Sequence, residues 1–266
     1  MARADTRSDL SARIIVAIPA IIFAVTIVAS GGIVFTIGLI GFGLICLHEL
    51  FSMFAKAHPS RLGGFLGLIG LCLAAHFGDM TQVMIALVAT FPVAFLLTAA
   101  QPRGGAPGIS VTILGVTWVG LALAHAILLR DLPHGGAIIV DVLVGTFMGD
   151  TGAYLGGRQF GRRKLAPAIS PNKTVEGLLI GMVTAVVATW AAGLYQDWLS
   201  GTDALLLGAA VAVAAPIGDL FESYLKRDAG TKDTGTLFGA HGGALDRLDA
   251  VFFSIVVGYY VWLAIL

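Results

Sequence analysis

The chain has 266 residues, of which 57% are hydrophobic and 12% are charged, with a mean hydropathy of +0.91. The charged share is about half that of a typical soluble domain, which excludes a soluble cytosolic enzyme and a disordered chain. The 16 basic and 16 acidic residues cancel, so the total charge indicates no nucleic-acid partner. The composition therefore predicts an integral membrane protein.

Nine apolar runs are candidates for membrane-spanning helices, since a bilayer core about 30 Å thick needs roughly 20 helical residues. They cover residues 13–30, 32–54, 63–77, 83–100, 110–129, 136–155, 177–196, 204–220 and 250–266. The third is short and a brief break separates the first two, so eight or ten helices remain alternatives. Continuous rather than alternating apolar character excludes a transmembrane barrel. We expect one all-α polytopic domain over 1–266, with 1–135 less informative than 136–266.

The basic residues indicate the orientation of this domain. With nine spans, all of the 16 Lys and Arg residues except Arg130 fall on the side of the N-terminus. Cytoplasmic loops carry the Lys/Arg excess, so we predict a cytoplasmic N-terminus and an external C-terminus. Because the first apolar run is long and is followed almost immediately by the second, we expect it to be retained rather than cleaved as a secretory signal.

Charged residues concentrate in two inner connections, 156–176 and 221–249. The second, with Asp219 at its edge, holds six of the 16 acidic residues. Such a high density of both acidic and basic residues indicates a functional site. One helical stripe is formed by the residues at i, i+3, i+4 and i+7, which are Asp219, Glu222, Ser223 and Lys226.

Three further helix ends reach the same face. Asp246 and Asp249 share one side at the start of the last helix, and Asp150 lies near the inner end of the sixth. Ser170-Pro171 suits the N-cap and first position of the seventh helix. Ionisable groups at membrane depth usually face a partner or a water-filled cavity, so we expect these ends to enclose one cavity.

The residue types at these ends favour phosphate chemistry. Carboxylates with a hydroxyl are the oxygen ligands that Mg²⁺ prefers, and the nearby bases suit phosphate oxygens. Those bases are Lys226, Arg227, Lys232 and Arg247. The Gly156 to Gly161 spacing continues with Arg162 rather than a lysine, so it is not a P-loop.

Each residue also has a structural alternative. Asp219 could hydrogen-bond a neighbouring helix, and Asp246 and Asp249 could simply favour a helix N-terminus. Glu49, at the inner end of the second run, is ambiguous. Asp141, in the outer half of the sixth helix, is the residue that best supports a transport pathway.

Two segments resemble one enzyme family. Residues 223–249, SYLKRDAGTKDTGTLFGAHGGALDRLD, resemble the C-terminal motif of the phosphatidate cytidylyltransferases, also called CDP-diacylglycerol synthases. Every polar position of the pattern S-x-φ-K-R-x4-K-D-x-G-x2-φ-G-x-H-G-G-φ-x-D-R-φ-D is matched, and Ala244 replaces a larger aliphatic residue. Residues 149–177 also look like this family, so the resemblance covers about the C-terminal half.

The resemblance implies a polytopic enzyme of the cell inner membrane, a homodimer, with its active site facing the cytoplasm. It would make CDP-diacylglycerol and pyrophosphate from CTP and phosphatidate with Mg²⁺ and a monovalent cation such as K⁺. The implied metal ligands are first Asp219 and Asp246, then Asp249 and Glu222. The implied phosphate-holding residues are Lys226, Arg227, Lys232, His241 and Arg247. The residues implied to line the substrate site are Asp150, Ser170, Lys173, Ser223, Gly242 and Gly243.

Two other functions remain open at this stage. A CTP-dependent lipid kinase, such as a polyprenol kinase, resembles this family in the same region and would release CDP. A cation-coupled transporter would use Asp141, Asp150 and Asp219 as an ion pathway, although the charges lie mostly on one side of the membrane.

Overall fold

The computed structural model describes residues 22–235 and 242–266. Its α-helices are, in chain order, α1 (residues 22–30), α2 (Gly32–Met53), α3 (Arg61–Phe77), α4 (Met80–Ala99), α5 (Ala106–Gly115), α6 (Leu121–Asp131), α7 (Gly135–Phe160), α8 (Val175–Gly193), α9 (Gly201–Asp228) and α10 (Leu245–Ile265). A 3₁₀ turn, Ala55–Ala57, follows α2, and a π-helical turn, Val116–Gly120, joins α5 to α6. The strands β1 (Lys164–Ala166) and β2 (Ser170–Thr174) lie between α7 and α8.

The described helices are those of a polytopic α-helical membrane protein. Seven of them are long and apolar enough to cross a membrane, counting α5 and α6 as one, and α3 is a shorter apolar helix. Every predicted apolar run coincides with a helical segment, the first of them described from residue 22 onward. The predicted ends at 155 and 220 were too early, because α7 and α9 continue to Phe160 and Asp228.

The connection between α7 and α8 differs from the expectation. Ser170 does not cap a helix; it begins β2, which pairs antiparallel with β1 so that Ala166 lies opposite Ser170. The cap is Thr174, whose hydroxyl accepts a hydrogen bond of 3.1 Å from the amide of Gly177. The local Ser-Pro signal is compatible with an extended segment, and pairing with β1 satisfies backbone groups that a loop would leave open.

Small residues bring α7 and α8 into close contact. Glycines on α7 face α8 at helical spacing, and a β-carbon on Gly152 would lie 2.4 Å from the hydroxyl oxygen of Thr184. The same holds for Gly145, where the nearest atom, Thr189 Oγ1, would be 2.3 Å away. Such backbone approach is typical of helix interfaces in lipid. It holds the hairpin, which joins these two helices, against the C-terminal end of α7.

At the end of the bundle away from the hairpin, tertiary hydrogen bonds hold the helix ends together. Arg130 Nε, at the end of α6, donates to the carbonyl of Val28 at 2.8 Å. Trp262 Nε1 on α10 donates to the carbonyl of Pro133 at 2.8 Å. This end of the bundle is therefore separate from the end that carries the hairpin and the start of α10.

Candidate active site

A cavity of about 620 Å³ lies between α7, α8, α9, the hairpin and the start of α10. Its charged lining residues are Asp150, Arg158, Lys173, Asp219, Asp246 and Asp249. Ser170 and Asn172 of β2 add polar groups, whereas Ala185 and Ala212 belong to an apolar part of the lining. The cavity therefore joins a charged region to an apolar one.

Three carboxylates from three helices line this cavity. Asp150 of α7 interacts electrostatically with Asp219 of α9 and Asp249 of α10, and Asp249 also interacts with Asp219. Lys173 of β2 forms an ion pair with Asp219. The hairpin thus places the ammonium group of Lys173 beside the three acids. The predicted convergence of these helix ends on one cavity is confirmed.

Lys226 joins the two last helices. Its Nζ lies 2.6 Å from Glu222 Oε2 and 2.8 Å from Asp246 Oδ1. The side chain of Glu222 is 1% exposed. Asp249 interacts with Glu222 both by charge and through a side-chain hydrogen bond, and it is also attracted to Lys226. Glu222, Asp249 and Lys226 therefore form one linked, largely buried group.

Asp246 organises the segment that precedes α10. Its Oδ2 accepts hydrogen bonds from the amides of Gly243 at 2.7 Å and Thr234 at 3.0 Å, and from the Thr234 hydroxyl at 2.9 Å. Gly242 has a φ of +81°, and a β-carbon there would lie 2.6 Å from the same carboxylate oxygen. Gly242 is therefore required both by its left-handed backbone and by its approach to Asp246.

Glu49 of α2 reaches the same segment, and sequence analysis left it without a role. Its Oε1 accepts from the amide of Ala244 at 3.0 Å and its Oε2 from that of Leu245 at 2.9 Å. A β-carbon on Gly243 would lie 2.2 Å from Glu49 Oε2. The signal that could have pointed to Glu49 is a carboxylate inside an apolar run, because such a group is costly unless a distant partner satisfies it.

The other predicted residues are more peripheral. Arg227 is exposed, and its Nε donates to the carbonyl of Ile169 at 3.1 Å, which ties α9 to the hairpin. Ser223 is half-buried on α9, and Lys232 and Arg247 are exposed. His241 lies outside the described residues. Among the cavity-lining residues, Arg158 and Asn172 were missed by sequence analysis.

Asp141 lies in the opposite half of α7. It is 1% exposed, and both of its carboxylate oxygens accept hydrogen bonds of 2.9 Å from Gln196 Nε2, beyond the end of α8. Nine residues separate it from Asp150, about 13 Å along a helix. The amide of Gln196 therefore gives Asp141 a local partner away from the charged cavity.

The carboxylates suit a cation that is shared with a substrate. Among residues 22–235 and 242–266, no three His, Cys, Asp or Glu side chains converge closely enough to hold a metal by themselves. Mg²⁺ usually keeps several waters and is held by one or two carboxylates together with phosphate oxygens. Asp150, Asp219 and Asp249 line the cavity and repel one another, so they are carboxylates that a cation would compensate.

The fold and its charged cavity define a polytopic membrane protein suited to phosphate chemistry. Its sequence matches the cytidylyltransferase family over residues 11–265. The chain belongs to that family and is a nucleotidyltransferase.

Several relatives are similar over nearly the whole chain. A phosphatidate cytidylyltransferase of Bacillus subtilis (strain 168) is 32% identical over 263 residues, which cover 95% of this chain and 97% of that protein. One from Brucella suis biovar 1 (strain 1330) is 33% identical over 248 residues, covering 92% of this chain and 90% of that protein. A third relative matches over a shorter stretch. It is the uncharacterized protein YnbB of Escherichia coli (strain K12), which is 38% identical over 165 residues, covering 60% of this chain and 55% of that protein.

Proposed function

We propose that this protein transfers the cytidylyl group of CTP to phosphatidate, giving CDP-diacylglycerol and pyrophosphate. The observation that carries the proposal is the cavity in which Asp150, Asp219 and Asp249 meet Lys173. A nucleotide needs the charged part of this cavity, and a lipid substrate needs its apolar part. The phosphatidate cytidylyltransferases to which the chain is similar point to the same pair of substrates.

The chemistry is a displacement at phosphorus. An oxygen of the phosphatidate phosphate forms a bond to the α-phosphorus of CTP, while the bond from that phosphorus to the bridging oxygen of the β-phosphate breaks and pyrophosphate leaves. The attacking phosphate is already an anion, so no strong general base is needed. The work of the chain is to align the two phosphates and to neutralise their charge. Lys173 and Arg158, which line the cavity, are the side chains we assign to that task.

Mg²⁺, with K⁺ as a second cation, is the proposed cofactor. Asp219 and Asp249 are the preferred ligands, because both line the cavity and repel each other and Asp150 there, whereas Glu222 is not among the cavity-lining residues. When bound, Mg²⁺ supplies charge neutralisation and alignment for the triphosphate. Chelation with EDTA should abolish turnover and added Mg²⁺ should restore it; full activity after chelation would reject the cofactor.

We also propose nine membrane spans, with the N-terminus and the cavity at the cytoplasmic face of the cell inner membrane and the C-terminus outside. The support is that nine spans would put all of the 16 Lys and Arg residues except Arg130 on the side of the N-terminus, and cytoplasmic loops carry the Lys/Arg excess. Cys46 and Cys72 are buried, so single cysteines introduced at Asp131 and Lys232 provide a direct test. An impermeant maleimide added outside intact cells should label position 131 and not position 232; the reverse pattern would invert the topology.

A homodimer is the expected assembly, on the resemblance to the family. The chain has a mass of 27.5 kDa, so light scattering in detergent should give a protein mass of about twice that value. A mass of one chain at all concentrations would reject the dimer.

The decisive experiment follows label from CTP marked on its α-phosphorus, with purified protein, phosphatidate and Mg²⁺ in detergent. Label in a lipid product, with release of pyrophosphate, supports cytidylyl transfer. Label in water-soluble CDP while a lipid alcohol gains a phosphate would replace the proposal with a lipid kinase. Neither product from folded protein would reject both, and ion flux in liposomes would then test transport.

A further inference from the structure

We propose that Glu49 is a positioning residue of the active site: it holds the first turn of α10 so that Asp246 and Lys226 keep the geometry that the reaction needs. The inference rests on the proposed function for its kinetic consequence and on the contacts of Glu49 for its structural one.

The first turn of α10 is capped by a residue far away in the chain. A helix begins with amides that have no partner inside the helix, and a side chain next to them in sequence usually satisfies them. The residue before α10 is Ala244, which offers no such group. Instead, the carboxylate of Glu49 accepts hydrogen bonds from Ala244 and Leu245 across 195 and 196 positions of sequence.

Glu49 and Asp246 divide the donors of one backbone segment. The amide of Gly243 donates to Asp246, whereas the next two amides donate to Glu49. The Thr234 hydroxyl oxygen lies 2.9 Å from Asp246 Oδ2 and 3.3 Å from Glu49 Oε2. The two carboxylates therefore share the contacts with Thr234 and residues 243–245.

The backbone closes around Glu49 at two glycines. A β-carbon on Gly235 would lie 2.5 Å from Glu49 Oε1, and one on Gly243 would lie 2.2 Å from Oε2. Gly243, which the family resemblance placed in the substrate site, thus has a local reason to be glycine that involves Glu49. Glu49 is only 6% exposed, so water cannot readily replace the hydrogen bonds that its carboxylate makes.

Displacement of α10 would move Asp249, which lies on this helix, lines the cavity and is a proposed metal ligand, and it would also disturb the contacts of Lys226. Asp246 lies in the first turn of α10, and its Oδ1 receives Lys226 Nζ, which also pairs with Glu222. A shift of α10 by a fraction of an ångström therefore alters the relation of Asp246 to α9. A misplacement of aligned groups by about 1 Å can lower turnover by about 100-fold.

The test compares Glu49→Gln and Glu49→Asp with Thr36→Val. Thr36 lies on the same helix, is fully buried and hydrogen-bonds His76, so its replacement removes a buried polar contact without touching the α10 segment. Purified proteins are measured by hydrogen exchange of the Ala244 and Leu245 amides, by thermal unfolding, and by kcat and KM for CTP.

We expect Glu49→Gln to speed exchange at both amides at least tenfold and to lower kcat by up to about 100-fold, with KM for CTP nearly unchanged. Glu49→Asp should recover part of the loss, because it restores the acceptor charge. Should Glu49→Gln fail to insert, the exchange and turnover of Glu49→Asp decide the matter.

Unchanged exchange at Ala244 and Leu245 would overturn the inference. So would a kcat that falls no further than that of a Thr36→Val protein with the same loss of thermal stability. A wild-type protein that transfers no cytidylyl group would reject the proposed function, while the exchange data would still decide whether Glu49 holds α10.

Discussion

Lys226 bridges Glu222 and Asp246, with Nζ 2.6 Å and 2.8 Å from their carboxylate oxygens, and so ties α9 to α10 at the edge of the cavity. Glu222 lies one helical turn before Lys226 on α9, whereas Asp246 lies on the other helix. One cation therefore compensates two acids from different helices, and a third acid, Asp249, interacts with both Glu222 and Lys226.

Lys226→Met should strongly destabilise the protein. Removing one partner of a buried pair leaves an uncompensated charge, which costs about 3–5 kcal/mol. The double variant Lys226→Met/Glu222→Met should unfold at a higher temperature than the single variant, because it also removes Glu222, the more deeply buried of the two carboxylates that lose Lys226. Thermal unfolding in detergent compares the two, and a double variant no more stable than the single one would show that this pair does not stabilise the fold.

Asp219→Asn should raise the Mg²⁺ concentration needed for half-maximal activity by about tenfold or more, a change of the size found when groups around a metal are altered. The physical reason is that Asp219 supplies a negative charge to the cavity beside Asp150 and Asp249. Activity is measured across a Mg²⁺ titration.

Asp141→Asn is the matched control for Asp219→Asn. It is an isosteric change on α7, at a carboxylate partnered by Gln196 away from the cavity, and should leave the Mg²⁺ titration unchanged. Equal shifts in both variants would mean that the metal dependence is not a property of the cavity. Loss of activity in the Asp141 variant alone would favour an ion pathway through α7.

Lys173→Met should raise KM for CTP or phosphatidate, because Lys173 lines the cavity and pairs with Asp219. Lys164→Met is the control on the paired strand: Lys164 is exposed and lies opposite Thr174 in the hairpin. The two variants lose the same charge from the same β-hairpin, so steady-state kinetics separate a local role from a general effect of positive charge. Equal changes would contradict a specific role for Lys173.

Gly218→Ala should lower activity more than it lowers the amount of folded protein. A β-carbon on Gly218 would lie 2.5 Å from the carbonyl oxygen of Asp249 and 3.0 Å from Ala250 Cα, so α9 and α10 must move apart beside Asp219. Gly70→Ala on α3 is the control, since nothing lies within 4 Å of its β-carbon position. Normal turnover by Gly218→Ala would show that the spacing of α9 and α10 is not critical.

The parts of the site that depend on helical periodicity were predictable. The spacing of Asp219, Glu222 and Lys226 places them on one stripe whatever the helix packs against, and the structure confirms the Glu222 to Lys226 contact. Likewise, Asp246 and Asp249 line the same cavity. Because the chain reverses direction after each apolar run, the charged stripes on either side of every second connection come to the same end of the bundle.

The parts that depend on pairing across the chain were not predictable. Ser170-Pro171 carries a plausible local helix-start signal, and only pairing of β2 with β1 decides that it is extended. The ion pair of Lys173 with Asp219 follows from that hairpin. Nothing near Glu49 in sequence indicates that its partners are the amides of Ala244 and Leu245.

The sequence by itself determined that this is a helical membrane protein, which of its helix ends carry charge, and which family its motifs resemble. These properties follow from composition and from spacing along single helices, and both are local. Only the tertiary structure decided which acids share Lys226, which one receives Lys173, and that a carboxylate from α2 caps α10. Those outcomes depend on how close two backbones approach, and small residues at particular positions, such as Gly218 and Gly243, set that distance.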